Sequence, residues 1–232
     1  MKIEIWSDIM CPFCYIGKRR FEQALEKFEE KDKVEIEWKS YLLSPEMVTD
    51  PTKNLHEFLA EHKGISIEEA TEMNGYVGRM AAETGLEYNL DKAIPANSFN
   101  AHRLLHFAAE HGKQGEVKEA LFKAYFTDGK NIDDSGVQLE IAASVGLNTA
   151  ELAKAMGSEA YFQDVVMDIQ EARNIDVRGV PFFVFNRKYA VSGAQEADAF
   201  LDVLEKSYGE WAQANGPLDI IEGDSCRVDG KC

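Results

Sequence analysis

The sequence predicts an α/β fold in which the two ends of the chain share one sheet and the middle forms a long helical insertion. Residues 2–8 and 33–43 alternate apolar and polar side chains, as strands do, and residues 11–31 carry apolar side chains at helical spacing. Residues 51–175 have helical patterns throughout. Strand-like runs return at 181–185 and 189–192, before a closing helix at 197–208.

The β-α-β start rests on three apolar patterns. Ile3 and Ile5 alternate with charged residues in the first strand, and Val34, Ile36 and Trp38 do the same in the second. The helix between them has apolar residues on one side, namely Phe13, Ile16, Phe21, Leu25 and Phe28. A helix of this length can connect two parallel strands.

The insertion is predicted to contain a series of helices. They cover residues 55–62, 67–84, 98–111, 115–127, 135–145, 149–156 and 158–174. Ser66 with Glu69 and Ser135 with Gln138 have the pattern of a capping box at a helix start. Glycines occupy expected helix ends at Gly85, Gly112, Gly129 and Gly146.

The last elements define the expected domains. Asn186-Arg187-Lys188 lies between two strand-like runs and predicts a hairpin turn. We expect residues 1–45 and 176–208 to form the sheet domain, residues 46–175 to form the helical domain, and residues 209–232 to form an irregular tail.

The charge balance argues against two classes of partner. The 232 residues include 25 Lys and Arg against 41 Asp and Glu, a net charge of −16. This charge repels phosphate backbones and anionic lipids, so we expect neither nucleic acid nor a membrane as a partner. No run approaches the ~20 apolar residues of a membrane helix, and Glu4 and Asp8 interrupt the start where a secretory signal would be apolar. We therefore expect a cytoplasmic protein, where a static disulfide framework is rare.

Cys11-Pro12-Phe13-Cys14 directly follows the first strand and opens the first helix. Two thiols at this spacing can close a small disulfide and exchange it with another protein. Free N–H groups and the dipole at the helix N-terminus favour the thiolate of Cys11, which is the attacking form. Cys14 lies one turn further along, so we expect it to be more buried and to resolve the mixed disulfide on Cys11.

Four segments carry a resemblance to a known family. They are Ser7-Asp-Ile-Met-Cys-Pro-Phe-Cys14, Asn97-Ser-Phe-Asn-Ala-His-Arg-Leu104, Arg178-Gly-Val-Pro-Phe-Phe183 and Ser192-Gly-Ala-Gln195. Together with the order of elements, they resemble the DsbA-like thiol oxidoreductases, which have a thioredoxin fold with a helical insertion, and within them the cytoplasmic FrnE-type branch. The resemblance covers residues 2–208.

The resemblance implies the roles of several residues. It implies a cis peptide bond at Pro181, with this loop against Cys11 and Cys14, and substrate contacts at Val180, Phe13 and Phe182. An incoming peptide would pair with Val180 as a short strand. Phe13 stands where strongly oxidising relatives have a histidine, so we expect weaker stabilisation of the Cys11 thiolate than in those relatives.

Nearby charged residues offer candidates for proton transfer. Related folds use a buried acid or lysine near the resolving thiol, and Asp8 and Lys39 are the candidates here; the alternatives are a turn residue and a polar-face residue. The neighbouring charges Lys18, Arg19 and Arg20 are expected to form a solvated face, since exposed charges are screened over about 10 Å at 0.1 M salt.

A metal site is the alternative interpretation of the cysteines. Zinc takes four ligands, and the other cysteines, Cys226 and Cys232, have five residues between them. His102 and His106 lie four apart but lack the glutamate of a zinc protease motif. We expect no metal and no cofactor beyond a redox-active disulfide, with glutathione left open. Asn97 and His102 either shape a groove or pack between helices.

Cys226 and Cys232 enclose Asp229-Gly230, which favours a turn that could bring their sulfurs together. FrnE-type proteins resemble this chain in having an extra C-terminal cysteine pair. One interpretation is an auxiliary redox pair that relays electrons to or from Cys11 and Cys14. The other is an exposed terminal pair without that role.

Three functions follow from these observations. The leading hypothesis is a protein dithiol-disulfide oxidoreductase, whose partners are thiol- or disulfide-containing proteins and a thiol electron donor or acceptor. Its direction of electron flow, including isomerisation, and its oligomeric state stay open. The second hypothesis is a glutathione-dependent enzyme similar to kappa-class transferases and 2-hydroxychromene-2-carboxylate isomerase, which usually have serine at the position of Cys11. The third is a chaperone-like binder with a hydrophobic groove near Phe13, Val180 and Phe182.

Overall fold

The computed structural model describes residues 1–216, which contain a four-stranded sheet. The strands are β1 (Lys2–Ser7), β2 (Glu35–Ser40), β3 (Phe182–Phe185) and β4 (Tyr189–Ser192), in the order β2-β1-β3-β4. β2 is parallel to β1, whereas β3 is antiparallel to both of its neighbours. The two ends of the chain therefore share one sheet, as the sequence predicts.

The helices of the described residues follow the predicted order. They are α1 (Pro12–Lys27), α2 (Leu55–Lys63), α3 (Ile67–Glu83), α4 (Phe99–Glu110), α5 (Gln114–Phe126), α6 (Ser135–Ser144), α7 (Thr149–Met156), α8 (Phe162–Asn174) and α9 (Ala197–Asn215). Ser66 and Glu69 form the predicted capping box. The second predicted box is wrong: Asp134 caps α6 and accepts a hydrogen bond from the Val137 N–H, so Ser135 is already inside the helix.

One face of the sheet packs against α1 and α9. Ile3, Ile5 and Phe183 lie in a core that also includes Phe21 of α1 and Phe200 of α9. The Phe21 ring centroid lies 5.4 Å from that of Phe183 and 5.7 Å from that of Phe200. Each fully buried ring of this kind contributes about 1.5–3 kcal/mol, so this core holds α1 firmly on the sheet.

The opposite face packs against α8. Trp6 and Val184 lie in a core with Ala172 and Val177, and the Trp6 indole N–H donates to the Asp168 carbonyl at 3.0 Å. The sequence analysis assigns α8 to the helical insertion, 46–175, because its pattern is helical. Its packing instead makes it a layer of the sheet domain.

The start of α1 also joins the core of the insertion. Cys11, Cys14 and Tyr15 belong to the same core as helices α4 to α7. The Tyr15 ring stacks on Phe122 of α5, with ring centroids 4.8 Å apart. The two cysteines therefore lie at the seam between the sheet and the insertion.

The closing helix is longer than predicted. α9 continues through Gly209 to Asn215 because Tyr208 packs edge-on against Phe28 and Trp211 extends the same contact. Cys226 and Cys232 lie outside the described residues. None of the helices within residues 1–216 has the length and hydropathy needed to span a bilayer.

Candidate active site

The two cysteines occupy the first turn of α1. Cys11 is the N-cap residue with extended backbone angles, Pro12 is the first helical residue, and the Cys14 N–H donates to the Cys11 carbonyl at 3.0 Å. Cys11 is 4% exposed and Cys14 is fully buried. The order of accessibility agrees with an outer and an inner thiol.

The Val180–Pro181 loop lies against Cys11. The peptide bond between these residues is cis, and the Cys11 thiol donates to the Val180 carbonyl with an Sγ–O distance of 3.4 Å. The Pro181 carbonyl accepts a 2.8 Å hydrogen bond from the Gly193 N–H, which follows β4. The loop is thus held between β4 and the start of α1.

The pKa of Cys11 is raised well above its ordinary value. The hydrogen bond with the Cys14 side chain has the largest effect, followed by burial and by the charge of Cys14, while the Cys14 backbone N–H acts in the opposite direction. Most of this increase comes from Cys14, so it describes the two thiols together and not Cys11 alone. Two adjacent thiols lose their protons as a pair, and the second charge is disfavoured by the first.

Tyr88 supports the cysteine turn from the insertion, a contact that the sequence analysis missed. Its hydroxyl donates to the Pro12 carbonyl at 2.7 Å. Its ring stacks on Phe126, with centroids 4.6 Å apart. Since Tyr88 lies in a loop far from any motif, no local pattern could have indicated this role.

An apolar groove begins at Phe13. Phe13 is 38% exposed, and together with Met73, Tyr76 and Val77 of α3 it lines a groove of about 780 Å³. Phe182 does not reach this groove, because it packs beside Trp6 on the sheet face that α8 covers. Of the three predicted substrate contacts, Phe13 and Val180 are therefore near the thiols and Phe182 is in a core.

A set of buried polar side chains lies near the cysteines. We call Asp8, His102, Lys118 and Tyr125 the polar chamber; all four are buried. Burial works to raise the pKa of Asp8, but its contacts with His102 and the Leu43 N–H outweigh burial and lower it. Burial lowers the pKa of His102 and raises that of Tyr125.

The predicted lysine Lys39 lies elsewhere. Its ammonium contacts Glu37 at 2.7 Å and Asp168 at 3.1 Å. Burial acts to lower the pKa of Lys39, but Glu37 and Asp168 raise it overall. Lys39 is therefore a partner of Asp168 of α8, not of Cys14.

The basic residues after the cysteines are paired. Lys18 contacts Glu119 and Glu22, and Arg19 also contacts both. Arg20 donates to the Ala194 carbonyl at 2.7 Å. Instead of forming a solvated face, Lys18 and Arg20 are buried and connect α1 to its neighbours.

The two predicted histidines do not form a metal site together. His106 contacts Ser40 and Asp168, each at 3.1 Å, whereas His102 lies 3.7 Å from Asp8. No three His, Cys, Asp or Glu side chains within residues 1–216 are arranged to hold an ion. Asn97 joins two segments that are distant in the chain: its side-chain N–H donates to the Met47 carbonyl at 2.8 Å, and its side-chain oxygen accepts the Phe99 N–H at the start of α4.

The comparison with protein families decides the family. The model of the DSBA-like thioredoxin domain matches residues 2–205. The chain belongs to the DSBA-like thioredoxin family. A relative in Bacillus subtilis (strain 168), the uncharacterised protein YwbO, is 31% identical over 207 residues, which are 85% of this chain and 92% of YwbO.

Solved structures agree with this family. A probable DsbA oxidoreductase from Streptomyces coelicolor, SCO1869, is 36% identical with a TM-score of 0.85, covering 100% of this chain and 98% of that one. The cytosolic disulfide reductase DsbM from Pseudomonas aeruginosa has 16% identity and a TM-score of 0.63, over 90% and 100% of the two chains. A 2-hydroxychromene-2-carboxylate isomerase has 15% identity and the same TM-score, over 93% and 98%. The last two likenesses concern the fold alone.

Proposed function

We propose that this member of the DSBA-like family is a protein dithiol-disulfide oxidoreductase, with Cys11 as the attacking thiol and Cys14 as the resolving thiol. The observation that carries the proposal is the placement of Cys11 at the N-cap of α1, with its sulfur 3.4 Å from the Val180 carbonyl. Pro181 completes the site as the residue that orients this loop. A substrate sulfur that approaches Cys11 must pass along the same backbone.

The proposed exchange has two steps. The Cys11 thiolate attacks a substrate disulfide, so that a bond forms between Cys11 and one substrate sulfur while the other substrate sulfur leaves as a thiolate. Cys14 then attacks Cys11, the Cys11–Cys14 disulfide forms, and the second substrate sulfur leaves. The enzyme dithiol is oxidised and the substrate disulfide is reduced, and the reverse sequence oxidises a substrate dithiol.

The burial of Cys11 supports a preference in direction. A strong oxidant of this kind has a stabilised reduced form, in which the attacking thiol is a low-pKa thiolate. Burial of the Cys11 thiol acts against that form, and the neighbouring Phe13 has no charge that would favour it. We therefore propose net reduction or isomerisation of disulfides, in the cytoplasm and with glutathione as electron donor. The DsbM structure solved with glutathione has a similar fold.

The groove at Phe13 supports a peptide substrate. It adjoins Pro12 and is lined by exposed apolar side chains of α3, including Met73 and Tyr76. We propose that an unfolded segment beside the substrate cysteine occupies this groove while its backbone passes Val180. The FrnE-type assignment and the auxiliary redox role of Cys226 and Cys232, which lie outside the described residues, stay predictions.

Reduction of insulin disulfides by the full chain tests the proposed function. We expect the wild type to accelerate reduction by glutathione, Cys11→Ser to abolish the acceleration, and Cys14→Ser to accumulate a mixed disulfide on Cys11, visible as an added mass under non-reducing conditions. Thermal unfolding of each variant checks that it is folded. Activity that survives Cys11→Ser would overturn these roles.

Two outcomes would favour the other hypotheses. Conjugation of glutathione to an aromatic electrophile, without insulin reduction, would favour a small-molecule enzyme. Suppression of protein aggregation that is equal in wild type and Cys11→Ser, again without reduction, would favour a peptide binder that uses the apolar groove.

A further inference from the structure

Most of the unpaired polar atoms in the described core belong to the polar chamber. In the part of the chain from residue 1 to 216, the buried side-chain N and O atoms without a hydrogen-bond partner are Ser7 Oγ, both ring nitrogens of His102, Lys118 Nζ and Tyr125 Oη. Buried polar groups are rarely left unpaired, because each unmet hydrogen bond costs about 1–3 kcal/mol. Their concentration near a pair of thiols suggests a use other than packing.

Lys118 is the most unusual member of the chamber. It lies in the middle of α5 and is fully buried. Its ammonium lies over two aromatic rings: Nζ is 4.8 Å from the centroid of Phe122 and 5.4 Å from that of Trp38. Such contacts attract a cation weakly but accept no conventional hydrogen bond. A methionine of similar length would fill the same space without the cost.

The charges that face Lys118 connect it to the cysteines. Burial lowers the pKa of Lys118 to about 8; the charge of Cys14 is the largest influence in the other direction, followed by Asp8 and Cys11, while Lys18 adds to the lowering. His102 of α4 also faces Lys118, since the lysine charge lowers the pKa of that histidine. The geometry gives the same placement, because the Phe122 ring beside the Lys118 amine stacks on Tyr15, the residue after Cys14. With a pKa of about 8, the amine can exchange a proton just above neutral pH.

We propose that Lys118 is a further catalytic residue, the base that takes up the Cys14 proton when Cys14 attacks the mixed disulfide on Cys11. The proposal rests on the proposed function and adds a residue to it. In the reverse direction the Lys118 ammonium returns the proton to Cys14. Asp8 is the fixed negative charge that keeps the ammonium form accessible.

The step balances in atoms and charge. The Cys14 thiol loses its proton to the neutral amine of Lys118, and its sulfur forms a bond with the Cys11 sulfur. The bond between Cys11 and the substrate sulfur breaks, and that sulfur leaves as a thiolate with the electron pair. Lys118 later releases the proton to water, so the enzyme ends as a disulfide with a neutral amine.

Other members of the chamber fit this role less well. The Asp8 carboxylate already accepts N–H groups of Met10 and Leu43, at 3.2 Å and 2.8 Å, and its pKa is lowered. A carboxylate held in this way is a weak proton acceptor. The main charges that act on His102 are Asp8 and Lys118 rather than the thiols.

The test measures the two steps separately. In a Cys226→Ser/Cys232→Ser background, only Cys11 and Cys14 remain as thiols of the full chain. An equimolar amount of dithiobis(nitrobenzoate) then releases one coloured thiolate when Cys11 attacks and a second when Cys14 resolves. For Lys118→Met we expect an unchanged first release and a second release about tenfold slower at pH 8, where about half of the wild-type amine is neutral and can act as the base. The pH profile of the second release should shift upward, because Cys14 must then lose its proton to solvent.

A matched control is available in Lys39→Met, which removes a lysine that pairs with Glu37 and Asp168. We expect it to leave both releases at the wild-type rate. Should Lys118→Met fail to fold, Lys118→Arg makes the same test, because arginine keeps the charge but cannot take up a proton. We expect it also to slow the second release.

The outcomes separate this proposal from the proposed function. An unchanged second release in Lys118→Met, or equal slowing of both releases, would overturn the role of Lys118 and leave the exchange of disulfides standing. A parent chain that releases no second thiolate would overturn both, because Cys14 would then not resolve the mixed disulfide.

Discussion

Two clusters of charged side chains in this protein differ in how completely their polar groups are paired. In the Asp168 cluster, formed by Asp168, Lys39, His106 and Ser40, the polar groups meet: Asp168 accepts the Ser40 N–H at 2.8 Å and contacts His106 and Lys39, each at 3.1 Å. In the polar chamber, the Lys118 amine, the His102 ring and the Tyr125 hydroxyl have no hydrogen-bond partner among residues 1–216. The first cluster joins α8 to β2, and the second faces the cysteines.

The difference between the two clusters separates a stabilising role of charged groups from a chemical one. A buried charge whose partners are complete connects two elements, and removing one partner leaves the others uncompensated. A buried amine without partners lowers stability, and a protein retains such a group at a functional site when it contributes to the chemistry. Lys39, which is partly buried, is therefore structural, whereas we propose a chemical role for the fully buried Lys118.

The largest expected effect is loss of stability in Asp168→Ala. The substitution leaves Lys39 and His106 without their carboxylate, so we expect about 3–5 kcal/mol of destabilisation at neutral pH, measured by urea unfolding. Burial raises the pKa of Asp168, but His106 and Ser40 outweigh it and lower the pKa overall. The contribution of Asp168 is therefore present above the ordinary pKa of an aspartate and is lost as pH falls below about 4. Exchange by the folded variant should remain at the wild-type rate, and slower exchange would contradict a structural role.

The next largest expected effect is a gain in stability in Lys118→Met. Lys118→Met removes an amine whose folded-state pKa, about 8, is below its ordinary value because of burial. The unfolded chain holds this proton more tightly, so wild-type stability rises with pH between about 8 and 10.4. We expect the variant to be more stable than the wild type by about 3 kcal/mol at pH 7, with the gain shrinking through that range. Urea unfolding at several pH values measures it. A destabilised Lys118→Met would mean that the amine has partners and that the two clusters are alike.

The fold was largely predictable because its elements have strong local patterns. The alternation of Ile3 and Ile5, the capping box at Ser66 and the hairpin before Tyr189 each depend on neighbours in the chain. The capping box at Ser135 was wrong for a local reason, since Asp134 is the cap, and the other differences come from contacts between distant segments. α9 continues past Gly209 because Trp211 joins the contact of Tyr208 with Phe28. α8 packs on the sheet, where the Trp6 indole N–H donates to the Asp168 carbonyl.

The candidate site was also predictable only where its residues lie in local sequence motifs. The motif at Cys11 and the Val180–Pro181 pair could be recognised in the sequence, and the structure places them together. Lys118 and Tyr88 could not be found, because both lie in the insertion, far along the chain from the cysteine turn, and only the fold brings them near it. Lys39 was chosen instead because it lies on a strand of the sheet, and only the packing of α8 reveals its partner in Asp168.

A smaller effect is expected at Gly17, which packs against the Pro181 loop beside the cysteines. A Cβ at Gly17 of α1 would lie 2.9 Å from Pro181 Cγ and 3.4 Å from Ala194 Cβ. Because the proline ring is stiff, Gly17→Ala must move the loop away from α1, and we expect a loss of about 1–3 kcal/mol. The Val180 carbonyl would move from Cys11 with the loop, so the first release of thiolate should slow as well.

Gly78→Ala in α3 is the matched control for this substitution. A Cβ there meets no heavy atom within 4 Å, so alanine should add about 0.5–1 kcal/mol through its helix preference and leave exchange unchanged. Urea unfolding and the first thiolate release measure both variants. If Gly17→Ala keeps wild-type stability and rate, the Pro181 loop adapts to α1, and the site beside the polar chamber is less rigid than the packing implies. If the stability and the rate of the first release fall in Gly17→Ala but not in Gly78→Ala, the position of the Pro181 loop beside Cys11 depends on the absence of a side chain at Gly17. The thiols would then lie between a rigid loop on one side and the unpaired amine of Lys118 on the other.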